Sequence, residues 1–336
     1  MPRGDEKMIG RSLFFAAFAL FPFLANAQNS VTPQGALRVA LIKMPYVGER
    51  NVPELSRGPQ YLDEGGIQKL LGERGVQTKI VEAVTLTPEE DKAYGSWNRL
   101  ALANGDLAKI VAVERRNGNL PVGLLANCSS ILGMLSGLQH SGSTSQPLRV
   151  GMVFIDAHGD FNTPETTLSG MLGGMPVAIA AGQCLTRMRI KTGLEPALPT
   201  RHIVEMCVRD TDPLEQELLD RSEIQQLTLE DVRTRSASFH REMKRLSEST
   251  DLIYIHVDMD ALDPREVPGH PLTVPGGPTS AELAAALAEM FQYEKTAAFG
   301  VASTPYDEHD KTGVSRQAAY NLIVGAVKGV QQRKPQ

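Results

Sequence analysis

The sequence predicts an α/β fold in which a mainly parallel sheet carries helices on both faces. Short runs of β-branched and aliphatic residues alternate with longer segments of helical periodicity, as in chains built from strand–helix units. Several of these runs are continuously apolar, which is typical of strands buried on both faces. The sequence has no internal repeat, no low-complexity tract and no interdomain linker, so we expect a single domain.

The apolar runs place the predicted strands, in chain order, at residues 37–41, 78–81, 122–125, 150–155, 203–208, 224–227, 252–257 and 298–302. Helical periodicity predicts helices that include residues 66–75, 97–116, 212–222, 237–247 and 280–293. Before the last of these helices, Thr279 precedes Glu282 by three residues, a spacing typical of a helix N-terminus. Residues 264–278 are rich in Gly and Pro and predict a long loop, and such loops usually carry a function or are disordered.

The composition is that of a globular protein. The chain has 336 residues, of which 42% are hydrophobic and 22% charged, and this excludes a mainly disordered or fibrous chain. The formal net charge of -5 and the aromatic content of 5% argue against a nucleic-acid-binding surface. Three cysteines do not form complete pairs, so no disulfide framework is predicted.

Residues 1–27 are predicted to be a signal peptide. An apolar run at residues 12–24 is followed by Ala25-Asn26-Ala27, the small-x-small pattern that signal peptidases cleave. The run is short for a membrane span and contains Pro22, so we expect no membrane anchor after cleavage. The alternative is a buried N-terminal helix. With cleavage, the α/β domain would occupy residues 28–336 of a periplasmic or secreted protein.

Evenly spaced metal-ligand side chains follow two of the predicted strands. Asp156, His158 and Asp160 come directly after the fourth strand, and Asp258 and Asp260 after the seventh. Alternating residues of an extended segment share one side, and ligands of parallel sheets collect at the carboxyl ends of strands. Carboxylates that converge there repel one another unless cations hold them. For one acidic pair alone, the alternative is a cap on a turn or helix.

The donor set predicts a divalent metal site. Mixed carboxylate and imidazole ligands suit Mn²⁺ best, and Zn²⁺, Fe²⁺, Co²⁺ and Ni²⁺ also bind them. Cys128 follows the third predicted strand at the same edge of the sheet, where it is either a further ligand or a small buried side chain. As a thiolate ligand it would shift the preference toward Zn²⁺ or Fe²⁺.

Over nearly all of the chain after the predicted signal peptide, the sequence resembles the arginase/agmatinase (ureohydrolase) family. Residues 156–170, DAHGDFNTPETTLSG, are similar to the family signature DAHxDxNTPxTTxSG. Residues 258–264, DMDALDP, resemble the second signature, DxDxLDP, and VPGG follows at residues 274–277. Residues 209–215, RDTDPLE, resemble the RDxDPxE element of arginases.

The resemblance implies a three-layer α/β/α domain around an eight-stranded parallel sheet. It also implies hydrolysis of a guanidinium C–N bond, usually with release of urea, by a hydroxide that bridges two divalent metal ions. The implied partner is a small guanidino or amidine molecule, with no nucleic acid and no membrane. Members of the family are often trimers or hexamers, so a homo-oligomer is implied here.

Specific residues take roles through the resemblance. The implied metal ligands are Cys128, Asp156, His158, Asp160, Asp258 and Asp260, with Asp156 and Asp258 bridging the two ions. Asp160 is also the implied catalytic proton carrier. The positions that contact an amino-acid head group in arginases are Asn162, Ser169, Asp212 and Glu215. The alternative is that these four residues only organise a loop and a helix end.

The sequence departs from the family pattern at three positions. Cys128 stands where the family has a histidine ligand, Gly173 where arginases have a histidine, and Ala302 where the family has the Glu that binds the guanidinium. We therefore expect a hydrolase of a guanidino or amidine compound, with a catalytically degenerate arginase-like binding protein as the alternative. A metal-dependent deacetylase of the histone-deacetylase-like group is a third interpretation. His256 is predicted to pack deeper in the sheet, behind Asp258, and His270 receives no role.

Overall fold

A parallel sheet forms the centre of the computed structural model, which describes residues 35–47 and 56–334. Its eight strands among these residues are Arg38–Met44 (β1), Gln77–Val81 (β2), Leu120–Leu125 (β3), Val150–Ile155 (β4), Ile203–Met206 (β5), Gln225–Leu227 (β6), Leu252–Asp258 (β7) and Thr296–Ala302 (β8). The spatial order is β2-β1-β3-β8-β7-β4-β5-β6, and all neighbouring strands are parallel. All the predicted strands are present, with small shifts at their ends.

Burial follows the order of the strands. In β3, β4 and β8, at the middle of the sheet, every residue is buried, because helices cover both of its faces. The two edge strands are short and keep exposed polar residues, such as Gln77 in β2 and Gln225 in β6. Exposed polar side chains on an edge strand oppose pairing with another sheet.

Helices pack on both faces of the sheet. In chain order they are Gly58–Glu64 (α1), Ile67–Gly72 (α2), Pro88–Asp91 (α3), Ser96–Arg116 (α4), Ile131–Gln139 (α5), Pro176–Ala180 (α6), Thr186–Thr192 (α7), Pro213–Arg221 (α8), Leu229–Thr234 (α9), Ala237–Ser249 (α10), Ser280–Met290 (α11) and Val314–Gln331 (α12). Every predicted helix is present. Thr279 and Glu282 form a capping box at the start of α11, as their spacing predicted.

Two hydrophobic cores separate the three layers. In β4, Val153 and Ile155 belong to one core, while Met152 and Phe154 belong to the other. Alternate residues of a strand point to opposite faces, so the two cores lie on the two sides of the sheet. The first core is completed by α1, α2 and α9–α12, and the second by α4–α8. The predicted three-layer α/β/α fold is confirmed.

The chain from Ala36 onward forms one compact unit. The predicted signal peptide, residues 1–27, lies outside the described residues. In the part of the chain that the structure describes, no helix is both long enough and apolar enough to cross a membrane. Residues 264–278 contain no helix or strand, in agreement with the predicted loop.

Candidate metal centre

Three of the predicted ligands meet at the carboxyl edge of the sheet, beyond the central strands β3, β4 and β7. Cys128 begins a short 3-10 helix after β3, Asp156 directly follows β4, and Asp258 is the last residue of β7. The Sγ atom of Cys128 lies 2.6 Å from Oδ2 of Asp258 and 3.7 Å from Oδ2 of Asp156. Strand order therefore brings together residues that are far apart in the sequence.

The remaining predicted ligands lie around these three residues. The Nδ1 atom of His158 is 3.3 Å from Oδ1 of Asp156 and 3.1 Å from Oδ2 of Asp260. Asp160 adopts a left-handed backbone conformation, with φ of 47°, and is buried beside Asp156. Among the described residues, three groups have potential ligand atoms within 4.8 Å of one another: Cys128, Asp156 and Asp160; Asp156, His158 and Asp260; Asp258, Asp260 and His270. All six predicted ligands thus gather at one place, and Asp156 and Asp260 each belong to two groups.

The two-residue spacing of the motifs has a local structural cause. Oδ1 of Asp156 accepts a hydrogen bond from the backbone N–H of His158 at 2.8 Å, and Oδ1 of Asp258 accepts one from Asp260 at 3.0 Å. Each strand therefore ends in an Asx-type turn, which fixes the carboxylate and directs the next ligand to the same side. The hydroxyl of Ser303, just after β8, donates to Oδ2 of Asp258 at 2.6 Å.

Burial creates an electrostatic conflict within this cluster. It raises the pKa values of Asp156, Asp160 and Asp258, and that of Asp260 to about 6, and repulsion from neighbouring carboxylates adds to the effect. Burial lowers the pKa of His158, but hydrogen bonds to Asp156 and Asp260 outweigh it and raise the value to about 11. Divalent cations would resolve this conflict, because they favour the charged carboxylates. The buried oxygen, imidazole and thiol donors thus fit such ions.

A polar chain lies directly behind Cys128. The Nε2 atom of His256 is 3.2 Å from Sγ of Cys128, and Nδ1 of the same ring is 2.9 Å from the hydroxyl of Tyr254. The imidazole stacks on Phe154, with ring centres 5.1 Å apart. Burial lowers the pKa of His256 to about 3, so the ring is neutral. Its position behind the ligands is the one predicted from strand alternation.

The four predicted substrate-binding residues line the same cavity of about 690 Å³. All four also bind one another or the local backbone, and the hydroxyl of Ser169 accepts a hydrogen bond from the backbone N–H of Met171 at 3.1 Å. Asn162 donates to Oδ2 of Asp212 at 3.1 Å, and Glu215 accepts hydrogen bonds from the backbone N–H groups of Phe161 and Asp212. Ser169 is exposed at the rim. These contacts organise the loop and the start of α8, as the alternative interpretation of the four residues predicted.

The sequence interpretation missed His270. This buried side chain comes from the long loop, and its Nε2 atom lies 3.6 Å from Oδ1 of Asp258. No regular spacing links it to the predicted ligands, and its place in a long loop was the only available signal. The loop is held by Arg209, whose guanidinium donates to the backbone carbonyls of Val274 at 2.9 Å and Asp260 at 3.1 Å.

Comparison with known proteins establishes the family. Residues 37–326 match the sequence profile described as the Arginase family. The chain belongs to the arginase family. It is 30% identical over 250 residues to the arginase of Bacillus caldovelox, across 73% of this chain and 82% of that protein. It is 27% identical over 277 residues to mitochondrial arginase-2 of Homo sapiens, across 79% and 76% of the two chains.

Solved structures support the same assignment. The native arginase structure from Bacillus caldovelox has a TM-score of 0.75 and 25% identity, covering 87% of this chain and 98% of that one. Formimidoylglutamase from Bacillus subtilis shares the fold, with a TM-score of 0.68 at 17% identity and 90% coverage of both chains. Membership of the arginase family implies a site for two divalent metal ions, and the clustered ligands described above fit that requirement.

Two of the three departures from the arginase family pattern, Cys128 and Gly173, line the same cavity. Gly173 lines it, and a Cβ atom at this position would lie 3.4 Å from the side-chain nitrogen of Asn127. Ala302 is buried at the end of β8, in register with Leu125 of β3 and Asp258 of β7. The acidic side chain that the arginase resemblance implies at position 302 is therefore missing beside the predicted metal ligands.

Proposed function

We propose that this protein is a metal-dependent hydrolase that cleaves a C–N bond of a guanidino or amidine compound. The observation that carries the proposal is the position of Asp156. Its carboxylate lies within 4.8 Å of potential ligand atoms of Cys128 and Asp160 in one group, and of His158 and Asp260 in a second group. A carboxylate placed in this way can serve two ions. The arginases among its relatives support the reaction class.

The chain's own residues have distinct roles in this proposal. Cys128, Asp156, His158, Asp160, Asp258 and Asp260 would hold two divalent ions, Mn²⁺ or one of the alternatives Zn²⁺, Fe²⁺, Co²⁺ and Ni²⁺. Such ions, when bound, lower the pKa of water and stabilise negative charge that develops during attack on the amidine carbon. Asp160, buried within the cluster, would accept a proton from the attacking water and pass it to the leaving amine.

The shape and charge of the cavity favour a small cationic substrate. A volume of about 690 Å³ is in the range of small-molecule sites. Beyond the metal ligands, Asp210, Asp212 and Glu215 add acidic groups to the lining. These charges would attract a small cation, and an arginine-like or arginine-derived compound meets both requirements. Asn162, Ser169, Asp212 and Glu215 would contact its head group.

The test is a metal-resolved activity screen. The purified protein is stripped of metal and loaded separately with Mn²⁺, Zn²⁺, Fe²⁺, Co²⁺ or Ni²⁺. Each form is then assayed for urea, ammonia or amine released from a panel of guanidino and amidine compounds. We expect turnover with at least one metal and none in an Asp156→Asn variant. Stoichiometric metal loading without release of any product would overturn the proposal.

A second candidate function is that of a catalytically degenerate arginase-like binding protein. It is favoured by Gly173 and Ala302, which lack the side chains expected from the arginase resemblance. Calorimetry with the same compounds separates the two functions. Tight binding that survives both EDTA and Asp258→Ala, without turnover, would favour the binding protein, whereas binding that depends on the metal supports the hydrolase.

Location and assembly are part of the proposal. Residues 1–27 would direct export and be cleaved after Ala27, which would leave residues 28–336 as a periplasmic or secreted homo-oligomer, trimeric or hexameric. N-terminal sequencing of protein from the periplasm and medium tests the cleavage site. Light scattering of the mature protein tests the assembly, and a monomer at micromolar concentration would contradict it.

A further inference from the structure

A buried chain of hydrogen bonds runs from the core of the sheet to a predicted metal ligand. The hydroxyl of Tyr254 lies 2.9 Å from Nδ1 of His256, and Nε2 of His256 lies 3.2 Å from Sγ of Cys128. Tyr254 and His256 are fully buried in β7, and Cys128 is 3% exposed. Water therefore has little access to these groups, and each depends on its neighbour for a hydrogen-bond partner.

The protons along this chain can be placed by counting donors. A thiol has one proton, and that of Cys128 goes to Asp258, whose Oδ2 atom is 2.6 Å away. The sulfur then has only lone pairs for His256, so Nε2 must carry the proton of this contact. A neutral imidazole protonated at Nε2 has a bare Nδ1, which accepts the hydroxyl proton of Tyr254. If Cys128 is a thiolate, the hydrogen bond again runs from Nε2 of His256 to the sulfur, because a thiolate has no proton to donate.

We infer that His256 is a positioning residue that donates a hydrogen bond from Nε2 to the ligand sulfur of Cys128, and that Tyr254 fixes the tautomer that makes this possible. The inference rests on the proposed metal-dependent function, since it assigns a partner to one of the proposed ligands. Phe154 supports the arrangement only sterically, by stacking on the imidazole with an interplanar angle of 5°.

This hydrogen bond has a chemical consequence for the sulfur. Donors to a metal thiolate withdraw electron density from it, and hydrogen bonds of this kind tune the properties of metal–sulfur centres. A thiolate that accepts such a hydrogen bond donates less electron density to the metal and is less easily oxidised. The arrangement explains how Cys128 can serve at a position where the arginase resemblance implies a histidine, because an imidazole lies directly behind it.

Cobalt spectroscopy of the purified mature protein tests the inference. Co²⁺ bound by a cysteine thiolate shows a sulfur-to-cobalt charge-transfer band in the near ultraviolet. Loss of a hydrogen bond raises the energy of the sulfur lone pairs, so the band should move to lower energy in His256→Phe and in Tyr254→Phe. We also expect Co²⁺ to bind about 10- to 100-fold more weakly to His256→Phe. Phe154→Leu, which removes the stacking partner but no hydrogen bond, is the matched control and should leave the band in place.

The outcomes separate this inference from the proposed function. If the parent protein binds no Co²⁺, the metal-dependent function fails together with the inference. If it binds Co²⁺ without a charge-transfer band, Cys128 is not a ligand and the inference alone is overturned. A band at the same energy in the parent and in His256→Phe also overturns it. Should His256→Phe not fold, Tyr254→Phe carries the test, because it removes a single oxygen atom.

Discussion

Nε2 of His270 lies 3.6 Å from Oδ1 of Asp258, so the long loop after β7 returns a buried imidazole to the end of the strand from which it departs. His270 also has a ligand atom within 4.8 Å of Asp258 and Asp260. The loop therefore closes one side of the candidate metal centre.

Removal of His270 should weaken the metal centre. The imidazole either contacts a bound ion or holds Asp258 in place, and in both cases His270→Ala should lower metal affinity by about 10- to 100-fold. Competition with a chromophoric chelator measures this change. His309→Ala is the control, since His309 is an exposed histidine at the rim of the same cavity. Equal affinities for His270→Ala and the parent would show that the contact does not serve the metal.

Asp156→Asn should empty the centre. Asp156 is shared by two of the candidate ligand groups, so an amide at this position removes charge from both. We expect elemental analysis to fall from two metal equivalents per subunit to less than one. Asp263→Asn is a suitable control, because Asp263 lies in the same DMDALDP segment but pairs with Arg265. Retention of both equivalents by Asp156→Asn would contradict the assignment.

Cys128→Ser should change which metal the protein prefers. The substitution keeps the size and the hydrogen-bonding capacity of the side chain, but it exchanges a soft sulfur for a hard oxygen. The affinity for Zn²⁺ relative to Mn²⁺ should fall by at least about 10-fold, as measured by metal competition. Cys184→Ser, at a half-buried cysteine outside the clusters, should leave the ratio unchanged. An unchanged ratio in Cys128→Ser would mean that the thiol is not a ligand.

Glu205→Gln should change how stability depends on pH. Glu205 is buried in β5, only Oε2 has a hydrogen-bond partner among the described residues, and burial raises its pKa to about 8. The folded state therefore keeps a proton that the unfolded chain releases above its ordinary pKa of about 4.3, and the free energy of unfolding falls as pH rises from there to about 8.

The variant lacks this titration. Relative to the parent, its free energy of unfolding should thus rise by up to roughly 4 kcal/mol between pH 4.5 and pH 8. Urea denaturation of both proteins at several pH values measures this difference in the free energy of unfolding. The carboxylates at the metal centre are present in both proteins, so their contribution cancels. Parallel pH profiles for the two proteins would contradict the assignment.

The sequence was most informative about the strands and about the candidate metal ligands that follow them. Strands such as β4 are buried on both faces, so their apolar runs stand out without any tertiary information. Asp156 and Asp258 could be recognised because an Asx-type turn at the end of each strand imposes a fixed spacing on the next ligand. The arginase resemblance then implied that both motifs contribute residues to the same metal centre, which spacing alone does not show.

Among the helices that were not predicted individually, α5 and α12 show two different physical reasons. Every residue of α5 is buried, so it lacks the polar face that produces helical periodicity. In α12, Gly325 and Gly329 lower the helix propensity, yet a Cβ atom at either would come within 2.5 Å of a backbone carbonyl oxygen of α11. Close packing of the two helices thus requires residues that disfavour a helix locally.

His270 could not be predicted because a loop has no repeating geometry. Its approach to Asp258 depends on the path of the chain between β7 and α11, which Arg209 fixes through backbone carbonyls. Such contacts leave no pattern of residue types in the loop itself. The same holds for Ser303, whose hydroxyl reaches Asp258 from a left-handed residue after β8.

The short distance between Cys128 and His256 restricts how this protein can vary. With Nε2 only 3.2 Å from Sγ, an imidazole introduced by Cys128→His would collide with the one already behind it. Refolding yield should therefore fall in Cys128→His and recover when His256→Ala is added, and it should stay low if the two positions are independent. A larger side chain at position 128 should therefore be tolerated only with a smaller one at position 256. The two residues, one following β3 and the other within β7, should consequently be inherited together, and homologues with histidine at the first position should carry a small residue at the second.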